Sequence, residues 1–359
     1  MKSLMSKAIT RRRFLKNSAI FGVGITVMPK MLWASEKSEL VIYNWDSYMD
    51  HNAVEKFAVD NNVKITYDYF ATVEDMFAKM KEGNPGYDVI FMSDYMTATM
   101  SRLDMLVAID QSKTPNMKNI DPDPKFSDPV VNPGLKWGLP FMWGSTGIGY
   151  RKSKVKKPID SWKVLLDSDE YSGRMALLGD MRICIGAALK YLGYSLNSIN
   201  PKEIAEARDL LIKSKKHMKT IAEDNGQDLL ASGEVDVVME WSNDIAQVVA
   251  EDSDLTFVIP KEGSYVWIDY ICIPKGAKNV DNAHAFMNFL HDPKVNAQCA
   301  EFIQVATPNL AAKKLLSKEH LNNKSIWPDE AAVKNCETII DVGEATRLYD
   351  EAWIKIKAG

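Results

Sequence analysis

Residues 264–274, Ser-Tyr-Val-Trp-Ile-Asp-Tyr-Ile-Cys-Ile-Pro, contain the pair of side chains with the clearest potential chemistry, Trp267 and Asp269. The stretch is β-branched and aromatic and is bounded by Gly263 and Pro274, a pattern that predicts a strand. Because side chains alternate between the two faces of a strand, these residues lie side by side. An indole face beside a carboxylate suits an organic cation. The alternative is a core strand whose Asp269 caps a neighbouring turn.

Four more groups of polar and aromatic residues directly follow predicted strands. In open α/β sheets, ligands bind beyond the carboxyl ends of the strands, so these side chains are expected to converge. Each acid among them could instead cap the helix that follows its strand, since aspartate is a favoured N-cap residue. The groups are Trp45-Asp46, Ser93-Asp94-Tyr95, Asp180 and Trp241-Ser242-Asn243-Asp244.

Together, these residues could enclose a linear cation between aromatic walls and carboxylates. Carboxylates at both ends of an aromatic slot would select the length of a diamine or polyamine, because a buried ammonium group without its anion carries a large desolvation cost. The aromatic candidates are Trp45, Tyr48, Tyr95, Trp241 and Trp267. The carboxylate candidates are Asp46, Asp180, Asp244 and Asp269.

Strand and helix patterns alternate along the chain, which favours an α/β fold with mostly parallel sheets and helices on both faces. Residues 140–144 and 146–150 predict two short strands with glycines between them, interpreted as the first crossing between two lobes. The glycines of residues 144–149 have the wrong spacing for a dinucleotide fingerprint, and no lysine follows as in a P-loop. We interpret that segment as a turn.

The 359 residues, with 46% hydrophobic and 9% aromatic content, predict a globular protein of about two domains. Residues 1–34 form a separate segment, with seven basic residues, no acidic residue and an apolar run of 11 residues at 18–28. That run is too short to span a bilayer. Residues 10–16, Thr-Arg-Arg-Arg-Phe-Leu-Lys, resemble the twin-arginine export signal, with Ala34 as the expected last residue before cleavage. An uncleaved membrane anchor is the alternative.

The charge and the remaining motifs exclude several function classes. Without the export segment, 37 basic residues face 48 acidic ones, a net charge of −11, which disfavours nucleic-acid binding. Residues 193–197 lack the closing glycine of a nucleophile elbow. No C-x-x-C motif occurs, so metal and redox motifs have no support. Without a recognisable nucleophile, metal cluster or cofactor loop, we expect no enzyme activity, metal or cofactor. Disulfides are allowed outside the cytoplasm, and three pairings stay open for Cys184, Cys272, Cys299 and Cys336.

Over essentially the whole mature length, the chain resembles the periplasmic spermidine/putrescine-binding proteins of polyamine ABC transporters. The resemblance is carried by residues 43–45 with Tyr48, residues 87–95, Trp143-Gly144, residues 190–195, Trp241, residues 267–269, residues 307–312 and residues 341–359. It implies a two-lobed periplasmic binding protein fold, each lobe a mostly parallel sheet flanked by helices, joined by hinge strands. Lobe 1 would comprise residues 36–144 and 270–313, and lobe 2 residues 145–269 and 314–359.

The resemblance also implies a ligand, a location and partners. The protein would be a periplasmic monomer that captures a polyamine and delivers it to the permease and ATPase subunits of an ABC importer in the inner membrane. A role in chemosensing instead of transport stays open. Carried over by position, the family's aromatic walls, its serine and two of its ammonium-binding carboxylates fall on Trp45, Tyr48, Tyr95, Trp241, Trp267, Ser93, Asp180 and Asp269.

Three positions depart from the family pattern. The family's second acid after Asp180 is Ile183 here, a tyrosine before the Thr-Pro-Asn turn is Val305, and a polar residue before Asp-Val-Gly is Ile339. Losing one carboxylate and two polar groups disfavours the triply charged spermidine. In addition, Trp241-x-x-Asp244 is similar to the W-x-x-D of putrescine-preferring members. We therefore expect putrescine, with another small cationic or less charged amine, or an exported amine-acting enzyme, as alternatives.

Overall fold

The computed structural model describes residues 38–223 and 225–359, so the predicted export segment lies outside the described residues. The strands are β1 (Ser38–Trp45), β2 (Val63–Phe70), β3 (Val89–Ser93), β4 (Gly138–Arg151), β5 (Met175–Leu178), β6 (Met218–Ala222), β7 (Val237–Trp241), β8 (Leu255–Val258) and β9 (Val266–Cys272). No helix within the described residues is long and apolar enough to cross a membrane.

The helices alternate with these strands, as the sequence predicted. They are α1 (His51–Asn61), α2 (Val73–Lys81), α3 (Asp94–Arg102), α4 (Pro124–Ser127), α5 (Lys163–Leu166), α6 (Met181–Tyr191), α7 (Pro201–Lys215), α8 (Gly226–Ala231), α9 (Ser242–Glu251), α10 (Val280–Leu290), α11 (Pro293–Ile303), α12 (Leu310–Lys313), α13 (Lys318–Asn322), α14 (Glu330–Val333) and α15 (Thr346–Ala358). Short 3₁₀ turns occur at Gln111–Lys113, Pro115–Asn119, Pro133–Leu135, Lys152–Lys154 and Gly343–Ala345.

The strands join in the order β2-β1-β3-β9-β4-β7-β5-β6, with β8 also paired to β4. The outer pairs are parallel: β1 with β2 and β3, and β5 with β6 and β7. The central strands β9 and β4 run antiparallel to their neighbours. The predicted α/β fold is confirmed, but the sheets are mixed where we expected them to be mostly parallel, because the two strands that cross the middle return in the opposite direction.

Strand β4 joins the two halves of the sheet. Its first residues pair with β9, and from Thr146 onward it pairs with β7 and β8. The two short strands predicted at 140–144 and 146–150 are therefore one, and the prediction of a turn at 144–149 was wrong. The glycines serve close packing: a Cβ on Gly144 would lie 2.4 Å from the Trp267 ring, and one on Gly147 would lie 2.4 Å from a backbone oxygen.

Side chains with hydrogen-bonding oxygens fix where several helices begin, by accepting from N–H groups of the first turn. Asp50 caps α1, Thr72 caps α2, Asp180 caps α6, Asn200 caps α7 and Asp292 caps α11. The capping role considered for Asp180 is therefore real, and it uses Oδ1 of that carboxyl group.

The core runs under both halves of the sheet, and the described residues form one compact unit. β3 is buried along its whole length, as its continuous apolar run predicted. Helix α15 packs on α6 and α7 and so fastens the end of the chain to the half of the sheet that contains β5. The lobe boundaries expected from the sequence stay a prediction.

Candidate ligand-binding site

Asp269 lies in the middle of the sheet, on β9, with neighbours from β3 and β4. Its register partners are Ser93, the last residue of β3, and Met142 of β4. Only 7% of its surface is exposed, and burial raises the pKa of its carboxyl group to about 7. The Tyr48 hydroxyl donates a hydrogen bond of 2.6 Å to Asp269 Oδ2.

Trp45 and Asp244 complete this part of the site. The Trp45 ring meets the Tyr48 ring edge to face, with centroids 5.5 Å apart. Asp244, in the first turn of α9, lies near enough to raise the pKa of the Tyr48 hydroxyl, after the larger effects of burial and of Asp269. We call Trp45, Tyr48, Ser93, Asp244 and Asp269 the Asp269 cluster.

Trp241 and Trp267 form an indole pair beside this cluster, with ring centroids 6.2 Å apart and nearly perpendicular planes. The missing side chain of Gly144, the register partner of Trp267, lets the Trp267 ring lie directly on β4. Trp267 is 3% exposed, and its indole Nε1 is buried without a hydrogen-bond partner within the described residues. A buried donor of this kind is unusual in a folded protein, which makes Trp267 Nε1 a candidate for a polar contact with a ligand.

A second group of acidic and phenolic side chains lies at the starts of helices. The Tyr95 hydroxyl, in the first turn of α3, donates a hydrogen bond of 2.9 Å to Glu74 Oε1 of α2. Burial, followed by the negative charge of Asp180, raises the pKa of Glu74 to about 7. Burial, followed by the charges of Glu74 and Asp180, raises the pKa of Tyr95. Burial also raises the pKa of Asp180. We call Glu74, Tyr95 and Asp180 the Asp180 cluster.

Glu74 is exposed when its whole surface is counted, whereas the shift in its pKa reflects many protein atoms around the carboxyl group. The two observations agree if the stem of the side chain lies at the surface and its carboxyl group points inward, as the hydrogen bond to Tyr95 requires. Electrostatic contact with Asp180 links α2, next to β2, with the end of β5 in the other half of the sheet.

Asp94 is buried behind the aromatic residues, at the first position of α3. Its Oδ1 accepts hydrogen bonds from the Tyr265 hydroxyl at 2.6 Å and from the Tyr95 backbone N–H at 2.7 Å. The Tyr265 ring contacts the Trp241 ring, with centroids 6.5 Å apart. Burial raises the pKa of Asp94 to about 8, with a smaller contribution from the charge of Asp269.

Asp46 differs from the other candidate acids because its side chain lies at the surface. It is exposed, and its Oδ1 accepts a hydrogen bond from the Ser47 backbone N–H at 2.9 Å. After burial, the charge of Asp46 is the second cause that raises the pKa of the exposed Tyr69. Ser47 adopts a left-handed φ of 56°, so the chain turns sharply after β1. This turn places the Asp46 carboxylate toward solvent.

The three positions that depart from the family pattern are buried. Ile183, Val305 and Ile339 are at most 2% exposed. Ile183 and Ile339 line a cavity of about 10 Å³ together with Arg182, Lys190 and Tyr265, which leaves room for about one water molecule. Ile183 and Ile339 present hydrocarbon to this cavity, and Tyr265 connects it to the residues around Asp94.

The structure adds two residues that the sequence analysis missed, Glu74 and Tyr265. Glu74 follows Thr72 in a capped first turn, where an acid is ordinary, so its sequence pattern carries no signal of a site. Tyr265 precedes β9 in the very stretch that suggested the site, and an aromatic two residues before Trp267 was a signal that could have been used.

The four cysteines are free thiols in this structure, so none of the three disulfide pairings left open by the sequence forms here. Cys184, Cys272 and Cys299 are buried, and Cys336 is partly buried. Across residues 38–223 and 225–359, no group of three or more histidine, cysteine, aspartate and glutamate side chains could hold a metal ion.

Comparison with known proteins gives matches over nearly the whole chain. It is 37% identical over 328 residues to the spermidine/putrescine-binding periplasmic protein of Escherichia coli K12, covering 91% of this chain and 93% of that protein. It is 32% identical over 346 residues to the putrescine-binding periplasmic protein SpuD of Pseudomonas aeruginosa, covering 92% and 94%.

Solved structures agree with this result. The spermidine/putrescine ABC transporter substrate-binding protein PotD of Streptococcus pneumoniae superposes with a TM-score of 0.78 at 33% identity, covering 89% of this chain and 99% of that one. Residues 52–334 match the family model described as bacterial extracellular solute-binding protein. The resemblance found in the sequence is confirmed, and the chain belongs to the family of bacterial extracellular solute-binding proteins.

Proposed function

We propose that this protein captures a polyamine, putrescine in preference to spermidine, and delivers it to an ABC importer. The observation that carries the proposal is the pairing of two carboxyl clusters with a set of aromatic rings. The Asp269 and Asp180 clusters each present an acid hydrogen-bonded to, or in electrostatic contact with, a tyrosine, and Trp241 and Trp267 lie beside Asp269. Ammonium groups at both ends of an alkyl chain would complete the two clusters.

The preference for a diamine rests on the apolar residues Ile183, Val305 and Ile339. A secondary ammonium group of a longer polyamine needs a further acceptor, and a buried charge without one is strongly unfavourable. Ile183 and Ile339 offer hydrocarbon instead and line a cavity of only about 10 Å³. The named relatives support both ligands, since one binds spermidine and putrescine and another putrescine.

The ligand-binding residues we propose are Trp45, Tyr48, Ser93, Asp94, Tyr95, Asp180, Trp241, Asp244, Trp267 and Asp269, with Glu74 as an addition. As a member of a solute-binding family, the protein is a binding protein and not an enzyme. We further propose a monomer that reaches the periplasm by the twin-arginine route and presents its ligand to the permease and ATPase subunits. Relatives that are periplasmic binding proteins support the location.

A calorimetric titration with putrescine, cadaverine, spermidine and spermine tests the ligand directly. We expect the tightest binding with putrescine and weaker binding with spermidine. A ligand present at 100 times its dissociation constant adds about 2.7 kcal/mol to the free energy of unfolding. Thermal unfolding should therefore show a midpoint raised by a few degrees with the same ligand.

Two variants separate specific capture from general attraction of a cation to an acidic protein. Asp269→Asn removes a charge from the proposed site. Asp104→Asn is the control and removes an exposed charge just beyond the C-terminal end of α3. We expect only Asp269→Asn to weaken binding. Binding of spermidine as tight as that of putrescine would contradict the diamine preference. Binding of none of the four amines would contradict the polyamine ligand and favour a less charged amine in the same cleft.

A further inference from the structure

Asp94 is a completely buried carboxyl group with an incomplete set of hydrogen bonds. Its Oδ1 accepts from the Tyr265 hydroxyl and the Tyr95 backbone N–H. Oδ2 is buried without a hydrogen bond of normal geometry within the described residues, and the Ile268 backbone, which lies near the carboxyl group, lowers its pKa less than burial raises it. An unpaired carboxylate oxygen in the interior is costly, whereas a protonated carboxyl group carries no net charge there. The geometry therefore favours the protonated form of Asp94 in the empty protein.

The groups that face Asp94 are phenols and a second acid. From β9 and the residues before it come Tyr265, Asp269 and Tyr270, and from its own helix comes Tyr95. Tyr270 is fully buried, and its hydroxyl also lacks a hydrogen-bond partner within the described residues. Cys272 on β9 is in contact with the Thr97 hydroxyl, one turn further along α3. Among these groups, the carboxylate of Asp269 is the charged group that raises the pKa of Asp94.

We propose that Asp94 is a positioning residue that gives up a proton when a cation binds beside Asp269. The proposal rests on the proposed function, because it needs a positively charged ligand at that position. In the empty site, a second negative charge behind Asp269 is opposed by burial and by the charge of Asp269. A bound ammonium group reverses the local potential, and the Asp94 proton then leaves to solvent while the ammonium group keeps its own.

Tyr265 links the carboxyl group of Asp94 to the indole ring of Trp241. Its hydroxyl donates to Asp94 Oδ1, and its ring lies against Trp241. The hydrogen bond from Tyr265 favours the ionised form of Asp94, which lowers the pKa of Asp94 from the higher value that burial alone would give. Ionisation of Asp94 would strengthen this hydrogen bond and so hold Tyr265, and through it Trp241, more firmly around the ligand.

Proton release makes binding depend on pH in a defined direction. The empty site binds more protons than the filled one, so the affinity rises with pH while Asp94 titrates, by at most about tenfold per pH unit for one proton. The pKa of Asp94 is raised to about 8, whereas those of Glu74 and Asp269 are raised to about 7. We therefore use the range from pH 7.5 to 8.5 and separate the contribution of Asp94 from those of Glu74 and Asp269 with a variant of Asp94. Primary ammonium groups, with a pKa near that of lysine at about 10.4, stay charged in this range.

The test is a calorimetric titration with putrescine at pH 7.5 in phosphate and in Tris, two buffers with different heats of ionisation. The dependence of the heat on the buffer gives the number of protons released. We expect the wild type to release up to about one proton per putrescine and to bind several-fold more tightly at pH 8.5 than at pH 7.5. Asp94→Asn, which keeps the size of the side chain, should release less than half as many protons and lose most of the pH dependence.

Two further variants make the result specific. Tyr265→Phe leaves Asp94 in place but removes the hydrogen bond that favours its ionised form, so the rise in affinity should move to higher pH. Asp104→Asn, which removes an exposed carboxylate beyond the end of α3, should behave as the wild type.

Equal proton release by the wild type and Asp94→Asn would overturn the proposal and leave Asp94 a residue at the start of α3 with no part in binding. If Asp94→Asn does not fold, an unshifted pH profile in Tyr265→Phe would overturn it. Failure of the wild type to bind any of the four amines would overturn the proposed function together with this proposal, and it is recognised by the absence of binding heat.

Discussion

The Asp269 cluster is built around an acid on a central strand, with Asp244 at the start of α9 beside it, whereas both acids of the Asp180 cluster come from the starts of helices. Asp269 is held between β3 and β4, and its oxygen accepts from the buried Tyr48. Glu74 is an exposed residue of α2, and Asp180 is a partly buried cap of α6. A charge on a strand within a sheet has hydrogen-bonded strands on both sides, while the positions of acids at helix starts depend on how their helices pack.

With acids held in these two ways, one site could recognise the charge and the length of a ligand separately. The rigid Asp269 cluster would supply most of the affinity, because a buried and preorganised acceptor loses little on binding. The Asp180 cluster would sense the second ammonium group and hence the length of the ligand. Since Glu74 and Asp180 belong to elements on different halves of the sheet, a cation between them would also relieve their mutual repulsion and favour closure.

The largest expected effect is therefore that of Asp269→Asn. Removing one partner of a buried, hydrogen-bonded charge pair costs about 2 to 5 kcal/mol of binding free energy, which is roughly 30-fold or more in the dissociation constant of putrescine. The variant should fold, because asparagine keeps the shape and can still accept from Tyr48. Titration calorimetry measures the loss, and a change below threefold would show that Asp269 is not the main anchor.

Glu74→Gln should have a smaller effect on putrescine. Glutamine can keep the hydrogen bond with Tyr95, so the loss is that of one charge-assisted contact, about 1.5 kcal/mol or roughly tenfold. Asp75→Asn, which changes the adjacent exposed acid of α2, is the matched control and should bind normally. A diamine series from three to six carbons would show whether Glu74→Gln also broadens the preferred length. An unchanged affinity would remove Glu74 from the site and leave Asp180 alone at that end.

The two clusters should also differ in how they affect stability without ligand. Both Asp269 and Glu74 have a pKa raised to about 7, above their ordinary values of 3.8 and 4.5. A raised pKa means that the folded protein binds protons that the unfolded chain releases, so stability present at pH 5 is lost as the pH rises toward 8. Asp269→Asn should remove this loss, and Glu74→Gln should remove less of it because Glu74 is exposed.

The measurement is the unfolding midpoint of each variant minus that of the wild type, at pH 5 and at pH 8. Differences are needed because burial lowers the pKa values of His291 and His320, so the contribution of these histidines to stability increases as the pH rises, opposite to that of the two acids. These histidines are common to all variants and cancel. We expect the midpoint difference for Asp269→Asn to increase by a few degrees between the two pH values, and equal differences at both would contradict the raised pKa.

The sequence was sufficient for the fold class and for selecting candidate residues from both clusters and from the indole pair, for identifiable reasons. Strand alternation places Trp267 and Asp269 together, and the rule for the carboxyl ends of strands selects Ser93, Asp180 and Trp241. The same rule does not find Glu74, which begins a helix, because the contact between α2 and Tyr95 is set by packing between distant segments. The sequence analysis did not predict the antiparallel middle of the sheet. The glycines of β4 suggested two short strands separated by a turn, whereas the segment is one continuous strand that pairs antiparallel with its neighbours.

Asp46 is the opposite case and gives the smallest predicted effect. It follows β1 directly and lies beside Trp45, so the sequence rule selects it, yet the left-handed Ser47 turns its carboxylate to the surface. We expect Asp46→Asn to change the free energy of putrescine binding by less than about 0.5 kcal/mol, as for an ordinary surface substitution. A calorimetric titration beside Asp269→Asn checks this, and a loss of tenfold or more would mean that closure around the ligand turns Asp46 inward and that the Asp269 cluster is less rigid than the strands around it indicate.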